Sequence, residues 1–137
     1  MLIINDDKEH AMIFSDKGKH YKQLYETEKQ KAIEMTLFKN NKHRDTNETI
    51  DLHGLHQSEI SHVLDKMIYN IKTKLQNGQI GYNENLNLHK VRIITGKGKH
   101  SLNNRSVIYQ TVEEYLKKQK INYKKSHENS YFSIFLS

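Results

Sequence analysis

Apolar residues along this chain change their spacing several times, and each change marks an element. Between Lys8 and Asn41 there is no Pro and one Gly, and Tyr21, Leu24, Tyr25, Glu28, Ala32, Met35 and Phe38 recur at roughly helical spacing, which predicts helix. Gly18 offers two expectations: a break into a short helix followed by a longer one, or a small residue where another helix crosses closely. The stretch Asn40-Asn41-Lys42-His43-Arg44-Asp45-Thr46-Asn47 is polar and turn-rich and reads as a linker. Apolar and polar residues then alternate through Thr49-Ile50-Asp51-Leu52-His53 and stop at Gly54, as in a short strand entering a tight turn. Ser58 is placed to cap a helix whose face carries Ile60, Leu64, Met67, Ile68, Ile71 and Leu75 and which ends near Asn77-Gly78.

The second half repeats the alternation of elements. Residues 79–89 have Gly/Asn clusters and no clear period, hence a loop. Val91-Arg92-Ile93-Ile94 is a strand, and Asn103 or Asn104 is placed to cap a helix carrying Ile108, Val112, Tyr115 and Leu116. Strands at 122–126 and 131–136 flank the turn His127-Glu128-Asn129-Ser130. The order β-α-β-α-β-β implies a parallel pair with a right-handed crossover followed by a hairpin. We therefore expect an α/β fold: a two-layer sandwich with two helices on one face of a four-stranded mixed sheet. A helical extension, residues 1–48, precedes this domain, residues 49–137.

Composition narrows the chemistry. A chain of 137 residues has room for one such domain and an extension. Without cysteine, disulfides, thiolate metal sites and thiol nucleophiles are excluded. No apolar stretch approaches membrane-spanning length, so we expect a soluble, cytoplasmic protein with no membrane partner, the nucleus staying open. The formal charge of +6 is uneven. Residues 1–49 carry 9 basic and 9 acidic residues, residues 50–137 carry 13 and 7, so the excess lies in the C-terminal part, as a domain attracting polyanions would have it. Lys outnumbers Arg 19 to 3, a bias that codon usage alone also produces.

Two motifs could carry chemistry. In Asp51-Leu52-His53-Gly54 the strand period puts Asp51 and His53 on one side, where a carboxylate can orient an imidazole that takes or gives a proton. The alternative is a polar strand end; His56 and His62 read as solvated helix-face residues. In Gly96-Lys97-Gly98-Lys99-His100-Ser101, two glycines let backbone N–H groups approach an anion, the following helix adds its positive end, and Lys97 and Lys99 add full charges. Neither a P-loop nor a dinucleotide fingerprint fits these residues, and a sharp turn alone would also need the glycines. Because strands one and two are parallel, both motifs fall at one end of the sheet, so proton-transfer groups would sit beside a phosphate site.

Residues 50–137 resemble the Smr (small MutS-related) domain through Ile50-Asp51-Leu52-His53-Gly54-Leu55, through Ile94-Thr95-Gly96-Lys97-Gly98-Lys99-His100-Ser101, and through the β-α-β-α-β-β order. The resemblance implies a nucleic-acid endonuclease or nicking module with a fold similar to the C-terminal domain of bacterial translation initiation factor 3. Asp51 and His53 stand at the family's Asp-x-His, and Gly96, Gly98 and His100 at its Thr-Gly-x-Gly-x-His. Residues from about 10 to 48, through Ser15-Asp16-Lys17-Gly18-Lys19-His20 and Ala32 to Asn41, look like the end of the helical region that precedes Smr in many eukaryotic members. The first half of that region is not there, so a truncated or shortened product is expected. The loop at 79–89 is longer than the family's usual one.

These readings combine into an expected function. The catalytic candidates are Asp51, His53 and His100, and the phosphate-binding candidates are Gly96, Lys97, Gly98, Lys99, Ser101 and Arg105, with no metal ligand assigned. RNA is the favoured partner, because the 2′-OH supplies a nucleophile without a metal-binding carboxylate cluster. No cofactor is required on this reading, with divalent Mg or Mn left open. DNA nicking and a non-catalytic nucleic-acid-binding module are the alternatives. A protein adaptor using the N-terminal stripe is a third class, and a ribosomal or protein partner would follow from the family alone.

Overall fold

Seven elements follow one another along the chain in the computed structural model, which describes residues 5–82, 87–96 and 107–137, with side chains from residue 17 onward. They are α1 (Asn5–Asn41), β1 (Thr49–Asp51), α2 (Gln57–Gln76), β2 (His89–Ile94), α3 (Val107–Lys118), β3 (Asn122–Lys125) and β4 (Tyr131–Leu136). The four strands form one sheet in the order β1-β2-β4-β3, with β1 and β2 parallel and the other two pairings antiparallel. The expected mixed sheet is therefore present, and α2 and α3 pack side by side.

Strand alternation and helix stripes meet in one core. Val91 and Ile93 of β2, and Phe132, Ile134 and Leu136 of β4, are buried on one sheet face. Against them lie Ile60, Leu64, Ile68 and Ile71 of α2 and Tyr109, Val112 and Leu116 of α3. Each aliphatic side chain taken fully out of water contributes about 1.5–3 kcal/mol. The Tyr109 ring stacks on Phe132 with centroids 4.4 Å apart, and Tyr123 meets Phe132 edge-on at 5.6 Å. Asn129, in the left-handed region at φ 53°, closes the hairpin, while the Ser126 hydroxyl accepts from the backbone N–H groups of Ser130 and Tyr131.

Three local expectations change. First, α1 is a single helix running through Gly18, and a Cβ there would meet no atom within 4 Å, so this glycine marks neither a break nor a helix crossing. Second, α2 is capped by His56 rather than Ser58. The His56 ring accepts from the Ser58 backbone N–H while the His56 backbone N–H donates to the Glu59 carboxylate, a reciprocal box that satisfies two end groups. Third, the stretch expected as a linker is fixed at its start: the Asn41 side chain bonds to Asp51 at the end of β1, and the Asn40 side chain to His53 just beyond it. The caps expected at Asn103 or Asn104 lie outside the described residues.

The chain divides into two compact units, residues 1–35 and 36–137. The first is helix throughout its described length. The second holds the sheet, α2, α3 and the last turns of α1. No helix among the described residues is long and apolar enough to cross a membrane.

Candidate functional site

The parallel pairing of β1 with β2 brings their C-terminal ends together, because Asp51 lies opposite Ile94 and the Leu52 N–H donates to the Ile94 carbonyl. Just beyond, both chains turn through glycines in the left-handed region, Gly54 at φ 83° and Gly96 at φ 81°. A β-carbon is strained in that conformation, which explains a glycine at each turn. A Cβ on Gly96 would come within 3.8 Å of the His53 Cβ, so the two motifs touch. The end of β2 is held from its other side by the Ser130 carbonyl, which accepts from the Thr95 and Gly96 N–H groups and the Thr95 hydroxyl.

At this end of the sheet His53 Nδ1 lies 2.8 Å from Asp51 Oδ1, which also accepts the His53 backbone N–H at 3.0 Å. When Asp51 is ionised it has no proton to give, so Nδ1 carries the hydrogen, and in the neutral ring Nε2 then keeps its lone pair for an outside proton. Asp51 is buried, whereas the His53 side chain is 60% exposed, so the ring is fixed from behind and open in front. Arg44 Nη2 lies 3.9 Å from the second oxygen, Oδ2, and adds positive charge near the carboxylate.

The position of Asp51 depends on a residue outside the motif. β1 is an edge strand, and the outward N–H and carbonyl of Asp51 face no further strand. The buried Asn41 side chain takes that place: its Oδ1 accepts from the Asp51 N–H at 2.7 Å, and its Nδ2 donates to the Asp51 carbonyl at 3.0 Å and the Leu37 carbonyl at 2.8 Å. Asn40 donates to the His53 carbonyl at 2.7 Å. Sequence reading put Asn40, Asn41 and Arg44 in a linker, since side-chain amides look alike in turns and in bridges. The only local signal is that the Asn pair ends a long helix just before a very short strand.

Of the expected site residues, Asp51, His53 and Gly96 are brought together here. Lys97, Gly98, Lys99, His100, Ser101 and Arg105 lie outside the described residues. Among the described residues no group of three or more His, Asp or Glu side chains comes together to hold a metal ion.

The sheet face opposite the helices adds a second surface. Alternation along His89-Lys90-Val91-Arg92 puts Lys90 and Arg92 on that face, exposed, with Lys124 of β3 joining through its partner Ser133. The Arg92 guanidinium stacks over the Tyr131 ring at 4.5 Å, and Tyr131 and Phe135 are half-buried there. Asp51 belongs to the same face by its pairing with Ile94, so three basic side chains and two aromatic rings lead toward His53. The same alternation that marked Val91 and Ile93 as core could have identified Lys90 and Arg92. At the opposite end of β1 and β2, a groove of about 620 Å³ includes Asp45, Glu48, Lys90 and Arg92 in its lining. Two acidic and two basic side chains thus share this groove, so its lining is mixed in charge.

The Smr domain family model matches residues 50–131. The chain belongs to the Smr family. That family consists of nucleic-acid-binding and endonuclease modules, which is the setting for the paired motifs. Among solved structures, the chain is similar to the Smr domain of NEDD4-binding protein 2 (21% identity, 65% of this chain and 84% of that one, TM-score 0.50). It is also similar to the human small-MutS related domain (24%, 64% and 98%, TM-score 0.47) and the B3BP Smr domain (21%, 79% and 88%, TM-score 0.48). A search of curated proteins gave no match.

Proposed function

We propose that this Smr domain is an endonuclease that cleaves RNA through acid–base catalysis at the Asp51–His53 pair. The observation that carries this reading is the 2.8 Å contact that fixes the ring by Nδ1 and leaves Nε2 on an open side. In the reaction, His53 Nε2 takes the proton of a ribose 2′-OH, whose oxygen attacks the adjacent phosphorus. The P–O bond to the 5′ oxygen breaks, and that oxygen leaves with a proton from His100. The products carry a 2′,3′-cyclic phosphate and a 5′-OH. Charge building on the phosphorane is met by Lys97, Lys99 and Arg105, by the Ser101 hydroxyl and by the Gly96 and Gly98 amides. Lys90, Arg92 and Lys124 guide the strand by its phosphates, without selecting a sequence. On this route no divalent ion is needed, because the nucleophile belongs to the substrate.

The test is incubation of end-labelled single-stranded RNA, and the matching DNA, in EDTA with the wild type and an Asp51→Asn/His53→Ala variant. RNA cleaved to cyclic-phosphate ends by the wild type, with a loss of about 10²-fold or more in the variant, is expected. Cleavage that appears only with Mg or Mn, or equally on DNA, overturns the 2′-OH route. Binding without cleavage under all these conditions makes the chain a non-catalytic module.

A further inference from the structure

Helix α1 leaves an unusual amount of apolar surface in water. Among the described residues, five of the eight large exposed hydrophobic side chains are on it: Tyr21, Leu24, Tyr25, Met35 and Phe38. Met35 and Phe38 are 72% and 71% exposed, far beyond what the edge of a packed helix leaves open. They are not scattered. Tyr21, Leu24, Glu28, Lys31, Met35 and Phe38 follow the alternating three- and four-residue steps of a two-helix seam. Thr36, Leu37, Asn40 and Asn41, which are buried or half-buried, occupy another side of the helix. Large apolar side chains left exposed along one line of a helix mark interaction surfaces.

The two charges in the middle of the stripe identify what covers it. Read in heptads, Tyr21, Glu28 and Met35 hold one seam position and Leu24, Lys31 and Phe38 the other. A parallel pair would set Glu28 against Glu28 and Lys31 against Lys31. Reversing one helix sets each position against the other kind, and a single register matches every residue. Tyr21 meets Phe38, Leu24 meets Met35, and Glu28 meets Lys31, each twice by symmetry. We propose that α1 pairs antiparallel with the α1 of a second copy of this chain in that register.

The occupant is a second copy because the sequence of the stripe is complementary to its own reverse, in charge and in apolar size. Within one copy Glu28 and Lys31 lie 3.7 Å apart, both well exposed. In the pair they become a central four-charge cluster flanked by apolar layers. Polar residues at a seam fix register and orientation at some cost in affinity. The paired segment, residues 21–38, is about 27 Å long at 1.5 Å per residue. With four apolar layers and two ionic ones, the dimer is weak, with dissociation in the range of about 10–100 µM. It joins two nucleic-acid-binding domains through helices that precede them, and so makes binding to one long strand bivalent.

The test uses the full chain in sedimentation velocity from about 5 to 300 µM, a span covering that range. The wild type is expected to move from 16.3 kDa toward twice that mass with rising concentration. Glu28→Lys alone and Lys31→Glu alone should each weaken association about 10-fold or more, by putting like charges in the centre. An equimolar mixture of the two should recover pairing, as should the double swap. Circular dichroism of each variant keeps loss of helix distinct from loss of pairing. Since the chain has no cysteine, Leu24→Cys and Met35→Cys report orientation: the mixture should form a disulfide and neither variant should with itself. A wild type that stays monomeric throughout, single variants that pair as well as the wild type, a mixture that does not recover, or self-crosslinking of each single variant would overturn the proposal.

Discussion

Asp51 and Glu113 are both buried carboxylates, 7% and 8% exposed, and both lie within reach of a nitrogen base and an aromatic or imidazole ring. At the β3 side of the sheet, Glu113 Oε2 accepts from Lys125 at 2.7 Å and from the Tyr123 hydroxyl at 3.0 Å. Burial raises its pKa, but those hydrogen bonds and the charges of Lys125 and Lys117 outweigh it, so Glu113 titrates below the ordinary carboxylate range. In return, Tyr123 is pushed above the ordinary phenol, by burial and then by its bond to Glu113. Each of these groups satisfies another inside the fold. Asp51 holds His53 by Nδ1 alone, and the His53 side chain stays largely exposed. A buried carboxylate that holds a half-free ring can serve a substrate, whereas one enclosed by its donors can serve only the fold.

Substituting each partner separately is the strongest way to break this comparison. His53→Ala should lower cleavage about 10²- to 10⁴-fold and leave the unfolding midpoint nearly unchanged. Cleavage that survives His53→Ala would reduce Asp51–His53 to another structural pair. Asn41→Ala comes next: it leaves the Asp51 backbone groups unpaired at the edge of the sheet, at about 2–3 kcal/mol in denaturant unfolding, and should cut activity because Asp51 shifts. An Asn41→Ala protein of full activity would show that β1 holds Asp51 without help.

Glu113→Gln should cost about 1–2 kcal/mol at neutral pH with cleavage intact. Its pKa is lower in the fold than in the unfolded chain, so the stabilisation is present above the ordinary value of 4.5 and lost as pH falls through the folded value. The gap between wild type and variant should close in acid-unfolding titrations; a constant gap would remove Glu113 charge from the account. The smallest effect is at Tyr115, whose hydroxyl donates to Asp65 at 2.5 Å and whose pKa is raised by burial and then by that bond and the Asp65 charge. A raised folded pKa contributes stability below pH 10.0 that is lost as the phenol ionises at higher pH. Tyr115→Phe should cost about 1 kcal/mol at pH 7 and flatten the alkaline limb of the stability curve, as differential scanning at pH 7 to 11 would show.

The order of elements from residue 49 onward was determined by the sequence alone, because period two at Thr49 to His53 and period 3.6 from Ile60 to Leu75 follow from which residues avoid water. The Asp51–His53 contact was legible for the same reason: it joins residues two apart where one strand ends in its turn. Partners distant along the chain were not. Asn41 reads as a turn residue until β1 arrives as an edge strand with an N–H and a carbonyl to satisfy, and His56 reads as solvated until α2 needs a cap. Lys90, Arg92, Lys124 and Tyr131 become one basic and aromatic face only when β4 inserts between β2 and β3. Local periodicity depends on a residue and its near neighbours, which the sequence contains. Hydrogen-bond completion at strand edges and the charge of a sheet face depend on which segments are brought together, and that only the tertiary structure decided.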